Sequence, residues 1–502
     1  MSLSLSLDLS FWQAAFFILD YAIKIFAIGF VPEGRRPSSS TAWLLAILLL
    51  PFIGLPLFLL MGSPQINRRR HRIQQEANDA IEDAHKDVTD HPFEELEAEV
   101  ESIIKLNRHL TGFPAVIGHN LGIHADYHKS IQAMADAIDK AQRYVYVEIY
   151  ITSWDETTDP FFQALARARQ RGVEVKFLFD QIGSLKYKGY RTLGKRLSEI
   201  DVDWRLMLPL QIHKARFRRP DLRNHRKLVV IDGERGFIGS LNLIKREYKT
   251  TDRYWIDYMV ELTGPIVVSL QAVFAVDWYT ESGEYIEMLT ELEDTGETPD
   301  TNYVQLIPSG PGYSTEPNLR MFISLIHHAK SRLIICSPYF VPDESLLDAV
   351  TTACYRGVRV ELYVSQRADQ FMVDHAQSSY YQSLLEAGIH IYQFPKPFVL
   401  HSKFVLADPD AGRADPEETD EGIRLKSHPL AAFGSSNLDM RSFGLNYEST
   451  MLVAQGDLIT EFNELAANYR AVSHELTLEE WNKRGFFRRY IDNVMRLTSA
   501  LQ

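Results

Sequence analysis

Residues 144–184 read YVYVEIYITSWDETTDPFFQALARARQRGVEVKFLFDQIGS, and residues 332–369 read RLIICSPYFVPDESLLDAVTTACYRGVRVELYVSQRAD. Each stretch opens with a β-rich run and passes an acidic residue, Asp155 or Asp343. An amphipathic helical pattern follows, then Arg-Gly-Val and a second β-rich run. A helical period between two strand-like segments predicts a strand–helix–strand unit with parallel strands. The unit recurs at a nearly constant offset: 188 residues from Asp155 to Asp343 and 185 from Gly172 to Gly357. So long a period marks a duplicated domain rather than a solenoid. The expected fold class is α/β, with two tandem domains related by a pseudo-twofold. Whatever the halves share should meet at one seam.

They share a polar constellation. The first half carries His225, Lys227 and Asp232, then Gly239-Ser240-Leu241-Asn242; the second carries His401, Lys403 and Asp408, then Gly434-Ser435-Ser436-Asn437. A single His-x-Lys is uninformative. Two copies of His-x-Lys-x4-Asp, each trailed by Gly-Ser-x-Asn at matching places in a duplicated domain, carry a strong signal. Residues 227–231, KLVVI, read as a strand. In a strand, side chains two apart share a face, so His225 and Lys227 project together. Ser240 and Asn242 share a face on the neighbouring strand, and Asp232-Gly233 reads as the turn between. Two imidazoles, two ammoniums, two hydroxyls and two carboxamides around one pocket suit a phosphodiester. The lysines neutralise its oxygens, while Ser240, Asn242, Ser435 and Asn437 donate hydrogen bonds to the phosphate. One histidine attacks phosphorus and the other protonates the leaving oxygen. Asp232 and Asp408 complete the catalytic motifs but fall at strand ends, where structural hydrogen bonding is expected of them. No Cys/His or acidic spacing of the metal-binding kinds occurs, so neither a metal nor any other cofactor is expected.

At 502 residues the chain has room for two or three domains. Its formal charge of −13 argues against a nucleic-acid partner, which usually requires a basic surplus. Acidic residues concentrate in two connecting stretches, 76–101 and 281–300, read as solvated chain. Basic residues cluster at 68–72, 213–226 and 483–489, the places to look for anionic partners. Cys336 and Cys354 sit in apolar contexts and read as small buried side chains in a reducing compartment.

Residues 42–61, AWLLAILLLPFIGLPLFLLM, hold no charge and would span about 30 Å as a helix, the thickness of a bilayer core. Residues 11–31 make a second candidate span, in which Asp20 and Lys24 lie one helical turn apart and partly neutralise each other. A helix lying in the interface is the other reading of that segment. A cleaved signal peptide does not fit, since no Lys or Arg precedes Phe11. Arg68-Arg69-Arg70-His71-Arg72 after the second span places the remainder in the cytoplasm. The expected organisation is a membrane hairpin at 1–62 and a polar, acidic linker at 63–108. Domains at 109–295 and 300–480 follow, then a basic and aromatic segment at 481–502. The expected location is the cell (inner or plasma) membrane, multi-pass, with the domains on the cytoplasmic side.

With both His-x-Lys-x4-Asp motifs in place, the chain resembles the phospholipase D superfamily, defined by a duplicated HKD motif. The N-terminal RRPSSSTAWLLAILLLPFIGLPLFLLMGS resembles the paired membrane segments of bacterial cardiolipin synthases. LRNHRKLVVIDGERGFIGSLNL, SGPG, SPYFVPDESLL, SYYQSLLEAGIHIYQF, LHSKFVLAD and GSSNLDMRSFGLNYES are similar to that family in order. The resemblance implies a phosphatidyltransferase that converts two phosphatidylglycerols into cardiolipin and glycerol through a phosphohistidine. His225 would be the nucleophile and His401 the acid, then base, with the reverse assignment open. Superfamily members also hold each histidine with a downstream carboxylate. Asp257, fifteen residues after Asn242, and Glu448, eleven after Asn437, match in the first and second halves. The implied partners are phosphatidylglycerol, cardiolipin and the membrane; a homo-oligomer is compatible with the sequence, which does not fix assembly. One departure stands out: Asp408 to Gly434 is 26 residues where Asp232 to Gly239 is 7, an insertion at 409–430 read as a surface loop, with a lid as the sharper alternative.

Overall fold

The computed structural model describes residues 11–33, 37–62, 68–84, 86, 88, 90, 96–210, 219–249, 252–287, 298–411 and 427–497. Among these, one 16-stranded sheet runs through both halves. At its centre Ala115–His124 and Thr301–Ser309 pair antiparallel, with Ala115 opposite Gln305. Outward from Ala115–His124 lie Met259–Thr263, Arg235–Gly239, Lys227–Ile231, Tyr144–Ile149, Glu174–Asp180 and Asp203–Met207. Outward from Thr301–Ser309 lie Asn446–Gln455, Leu430–Gly434, Phe404–Ala407, Arg332–Cys336, Arg359–Ser365 and His390–Phe394, with His474–Leu476 at the edge. The two series match strand for strand. In each, the first two strands of the repeated unit are parallel, and the first of them pairs antiparallel with the motif strand.

The repeat's punctuation has a local cause. Gly172 and Gly357 both take φ near +90°, at 87° and 89°, and end the helices Asp159–Gln170 and Glu344–Tyr355 in the left-handed conformation glycine tolerates. The repeated acids act at the other end. Asp343 accepts the Leu346 N–H at 2.9 Å as an N-cap, and Asp155 accepts the N–H groups of Thr157 and Thr158 just before its helix. Helices cover both faces of the sheet, so its strands are nearly continuous apolar runs. One core layer belongs to the first half and one to the second, while a third contains residues of both, including the long buried helix Ile266–Ser282 and the helix Asp457–Val472.

The N-terminal segments differ from expectation in detail. Phe11–Phe30 is one unbroken apolar helix long enough to cross a membrane, and Lys24 pairs with Asp20 at 2.8 Å as its spacing predicts. The stretch expected as a straight span at 42–61 is instead split at Leu50 and Pro51 into Pro37–Leu49 and Pro51–Leu57, with a single wide turn to Gly62. A Cβ added at Gly54 would lie 2.6 Å from the Ala46 carbonyl oxygen, so the two short helices fold against each other. Proline lacks the N–H the helix would need, and glycine permits the close approach. Ala27, Val31, Trp43, Ile47 and Phe58 form their small shared core.

The acidic stretch read as solvated linker is, where described, largely helical. Arg68–Ala84 buries Ile73, Gln74 and Ile81, and Ala98–Thr111 buries Val100, Ile103 and Ile104 in the second half's core. Apolar residues three and four apart make a stripe that pays for docking, and the acids sit on the outer face. The boundary expected at 481 also falls inside a helix, Leu478–Asn482, whose Trp481 packs on Tyr381. Cys336 is buried as expected, while Cys354 is only partly so.

Candidate active site

Two short strand crossings carry the motif histidines over the seam. Arg223–Asn224 pairs parallel with Asn446 and Tyr447, which lets the His225 N–H donate to the Tyr447 carbonyl at 2.8 Å. Phe398–Leu400 pairs parallel with Tyr254–Ile256, and the His401 N–H donates to the Ile256 carbonyl at 2.8 Å. Each histidine therefore begins its motif hydrogen-bonded to the backbone of the opposite half.

The carboxylates cross as well. Glu448, in the second half, holds His225 of the first: both its oxygens lie 3.0 Å from His225 Nδ1. Asp257, in the first half, holds His401 of the second, with 2.6 Å between Oδ1 and Nδ1. A carboxylate was expected behind each histidine, one per half; the pairing runs across the seam because strands 254–256 and 446–455 are the ones that lie beside the opposite motif. With Nδ1–H committed to the carboxylate, Nε2 carries the lone pair on a neutral ring.

Ser240 and Ser435 do not stand free for a phosphate. Ser240 Oγ donates to Asp257 at 2.6 Å and Ser435 Oγ donates to Glu448 at 2.5 Å. They lie just past the strands Arg235–Gly239 and Leu430–Gly434, and there each serine accepts a backbone N–H from beside its carboxylate, Tyr258 or Ser449. The preceding glycines allow this approach: a Cβ would stand 2.4 Å from the Tyr258 carbonyl oxygen at Gly239, and 2.2 Å from that of Ser449 at Gly434. Asn242 accepts the Ile151 N–H at 3.3 Å and donates to Tyr248 Oη at 3.3 Å. Asn437 is buried, with its side-chain oxygen lacking a hydrogen-bond partner among the described residues.

Lys227 and Lys403 are buried, and each ammonium donates to the carbonyl of its own motif histidine, His225 or His401. Burial pushes Lys227 down to about 7, with Lys403 adding repulsion, and pushes Lys403 down to about 8. Burial also lowers His225 to about 3 and His401 to about 4; both lysines add to the drop at His225, and both again at His401. The lysine of each half thus helps lower the histidine of the other. Burial opposes ionisation of Glu448 and Asp257, but the paired histidines outweigh it and both stay below the usual carboxylate range. Below about pH 7 the resting site therefore holds two neutral imidazoles, two ammoniums and two carboxylates.

Asp232 and Asp408 sit apart from this chemistry. Asp232 accepts the N–H groups of Gln142, Arg143 and Tyr144 at 2.7–2.8 Å, and Asp408 accepts those of Lys330, Ser331 and Arg332 at 2.7–2.8 Å. Both take positive φ, 56° and 49°, a conformation Asp tolerates at a turn. Each ties the end of the motif strand to the start of the adjacent strand. Asp408→Ala strands three amides and should lower stability by about 3 kcal/mol, with Asp408→Asn milder. Thermal unfolding checks this, and a loss of turnover without loss of stability would contradict it.

Sequence reasoning missed several supporting residues. Tyr150 stands edge-on to His225 at 4.8 Å and lies under the Lys227 ammonium at 5.4 Å. Tyr258 donates its hydroxyl to the Lys403 carbonyl at 2.7 Å and accepts the Gly434 N–H at 3.1 Å, binding the halves together. Arg226, the middle residue of the first His-x-Lys, is buried, pairs with Asp277 and donates Nε–H to the Glu448 carbonyl at 3.2 Å. Its second-half counterpart, Ser402, meets Tyr469 instead. Nothing in a motif spacing signals these. Among the described residues no group of His, Cys, Asp and Glu is arranged to hold a metal ion. Residues 412–426 of the 409–430 insertion and the basic residues 213–218 lie outside the described residues.

Fold and site define a two-domain protein with phospholipase D-like halves sharing one histidine pair. The family described as "Cardiolipin synthase, PLD-like domain" matches residues 134–278 and 322–469, and "Phospholipase_D-nuclease N-terminal" matches 21–62. A cardiolipin synthase of Halalkalibacterium halodurans is 30% identical over 100% of this chain and 97% of its own. A cardiolipin synthase A of Proteus mirabilis is 30% identical, covering 98% of each chain. The crystal structure of a phosphatidylserine synthase from Haemophilus influenzae superposes with a TM-score of 0.56 over 81% of this chain and 100% of that one, at 14% identity, a likeness of fold. This chain belongs to the cardiolipin synthase family.

Proposed function

We propose that the chain transfers a phosphatidyl group between two phosphatidylglycerol molecules, giving cardiolipin and glycerol. The observation that carries it is the pair of crossed imidazole–carboxylate contacts, His225 with Glu448 and His401 with Asp257, flanked by two buried lysines. Each contact repeats the other under a pseudo-twofold through the seam. The donor phosphate lies between Lys227 and Lys403. Its negative charge offsets the lysine repulsion that adds to burial in depressing the histidines, so His401 takes up a proton as the lipid binds. His225 Nε2 attacks phosphorus, the bond to the headgroup glycerol breaks, and that oxygen leaves with the proton from His401 Nε2. A second phosphatidylglycerol then offers a glycerol hydroxyl. His401 removes its proton, the new phosphorus–oxygen bond forms, the phosphorus–nitrogen bond breaks and cardiolipin departs. One phosphodiester replaces another, so the exchange needs no nucleotide.

The proposed topology is a membrane hairpin, with the catalytic halves on the cytoplasmic side. Phe11–Phe30 has the length of one pass, and the twenty uncharged residues 42–61 have the length of a second. The basic run at 68–72 supports the orientation.

Two outcomes test the reading. Purified enzyme in phosphatidylglycerol vesicles should release glycerol and form cardiolipin in equal amounts; glycerol with phosphatidic acid instead would make it a hydrolase. The lysines bind phosphate only when charged, and charge is lost as pH rises through about 7 to 8, so kcat/KM should fall over that range. Bound phosphate stabilises the ammoniums, so kcat should hold to higher pH. A kcat/KM that climbs through this range would contradict the assignment.

A further inference from the structure

The helix Phe486–Arg496 is turned around relative to a surface helix of a water-soluble domain. Its polar stripe faces the protein. Asp492 is buried, with His375 Nδ1 at 2.6 Å, and accepts from Arg484 at 2.8 Å and Arg488 at 3.1 Å. Arg488 also reaches Asp374 and Ser378 on the helix Phe371–Glu386. The apolar stripe faces outward. Phe487, Tyr490, Val494 and Leu497 recur at helical spacing, with Phe486 beside them, and Phe487 is 80% exposed. Amphipathic helices on soluble domains do the opposite, and a contiguous exposed apolar stripe marks a contact surface.

The surroundings identify the occupant. Phe371 and Met372, at the start of the helix that receives this one, are exposed too. Arg489 is exposed beside the stripe and complements anionic headgroups, as does Lys483, which pairs at the surface with Glu479 at 2.9 Å. Aromatic residues flanked by cations are the composition of a helix lying in a bilayer interface.

We propose that the outward stripe of Phe486–Arg496, with Phe371 and Met372, seats in the interface of an anionic phospholipid bilayer, a membrane contact separate from the N-terminal helices. It stands on this geometry and does not depend on the transfer reaction.

The test uses the full chain carrying His225→Ala, so that turnover plays no part, with Phe487→Cys labelled by a nitrobenzoxadiazole dye and the unsubstituted chain as background. In phosphatidylglycerol vesicles the emission should shift to the blue and be quenched by lipids spin-labelled near the carbonyl end of the acyl chain. Quenching by aqueous iodide alone would overturn the proposal. Protection from both quenchers would overturn it in favour of a protein partner, such as a second copy. In the active chain, combined Phe486→Ser, Phe487→Ser and Tyr490→Ser, which leave the docking face intact, should raise the KM for vesicle lipid about 10-fold with kcat unchanged. An unchanged KM would contradict the membrane contact.

Discussion

His225→Ala and His401→Ala each reduce cardiolipin formation in phosphatidylglycerol vesicles by at least about 10⁴-fold, the scale on which nucleophiles and their partner acids act as a unit. The reason is geometric as much as chemical. Each ring is held by a carboxylate from the opposite half and by a backbone hydrogen bond across the seam, so neither can substitute for the other. Both variants should stay folded, since removing an imidazole leaves Asp232 and Asp408 and their amide partners untouched. Turnover above about one hundredth of wild type by either variant would refute the paired mechanism.

The second large effect follows from the crossed carboxylates. Glu448→Gln and Asp257→Asn should each lower kcat by about 10²–10⁴-fold, because an amide favours the wrong imidazole tautomer and cannot support the cation. The two losses differ in kind. A phosphatidyl ester of p-nitrophenol has a leaving group that needs no proton. In a single turnover, p-nitrophenol release should recover in His401→Ala and Asp257→Asn together, and in neither His225→Ala nor Glu448→Gln. Recovery grouped by half, with Asp257 following His225, would contradict the crossing.

Much of this was legible in the sequence. The duplicated strand–helix–strand units and the parallel strands within them came directly from periodicity, with Gly172 and Gly357 marking the offset of the repeat. So did the two motif sets, because their spacing repeats. What stayed hidden depends on which strands become neighbours. A motif counted along the chain puts Asp257 after His225, while the sheet puts it beside His401. The serines looked like phosphate ligands by chemistry alone, yet close backbone approach at Gly239 and Gly434 aims them at the carboxylates. The acidic stretch after the membrane segments looked solvated because its charge outweighs its few apolar residues. Ile73, Ile81, Val100, Ile103 and Ile104 nonetheless fall on helical faces that the domains cover. The unbroken apolar run at 42–61 concealed its bend, since hydropathy counts residues and ignores what Pro51 and Gly54 do to helix geometry.

One phosphorus gripped from both sides by the two halves, passing through a bond to His225, is the claim on which the account turns. His401→Ala enzyme mixed with the p-nitrophenyl phosphatidyl ester should form that bond and lack the base to break it. Rapid quenching at alkaline pH, proteolysis and mass spectrometry should then find the phosphatidyl group on the peptide containing His225. A full burst of p-nitrophenol with no adduct, or with the adduct on another residue, would contradict the account.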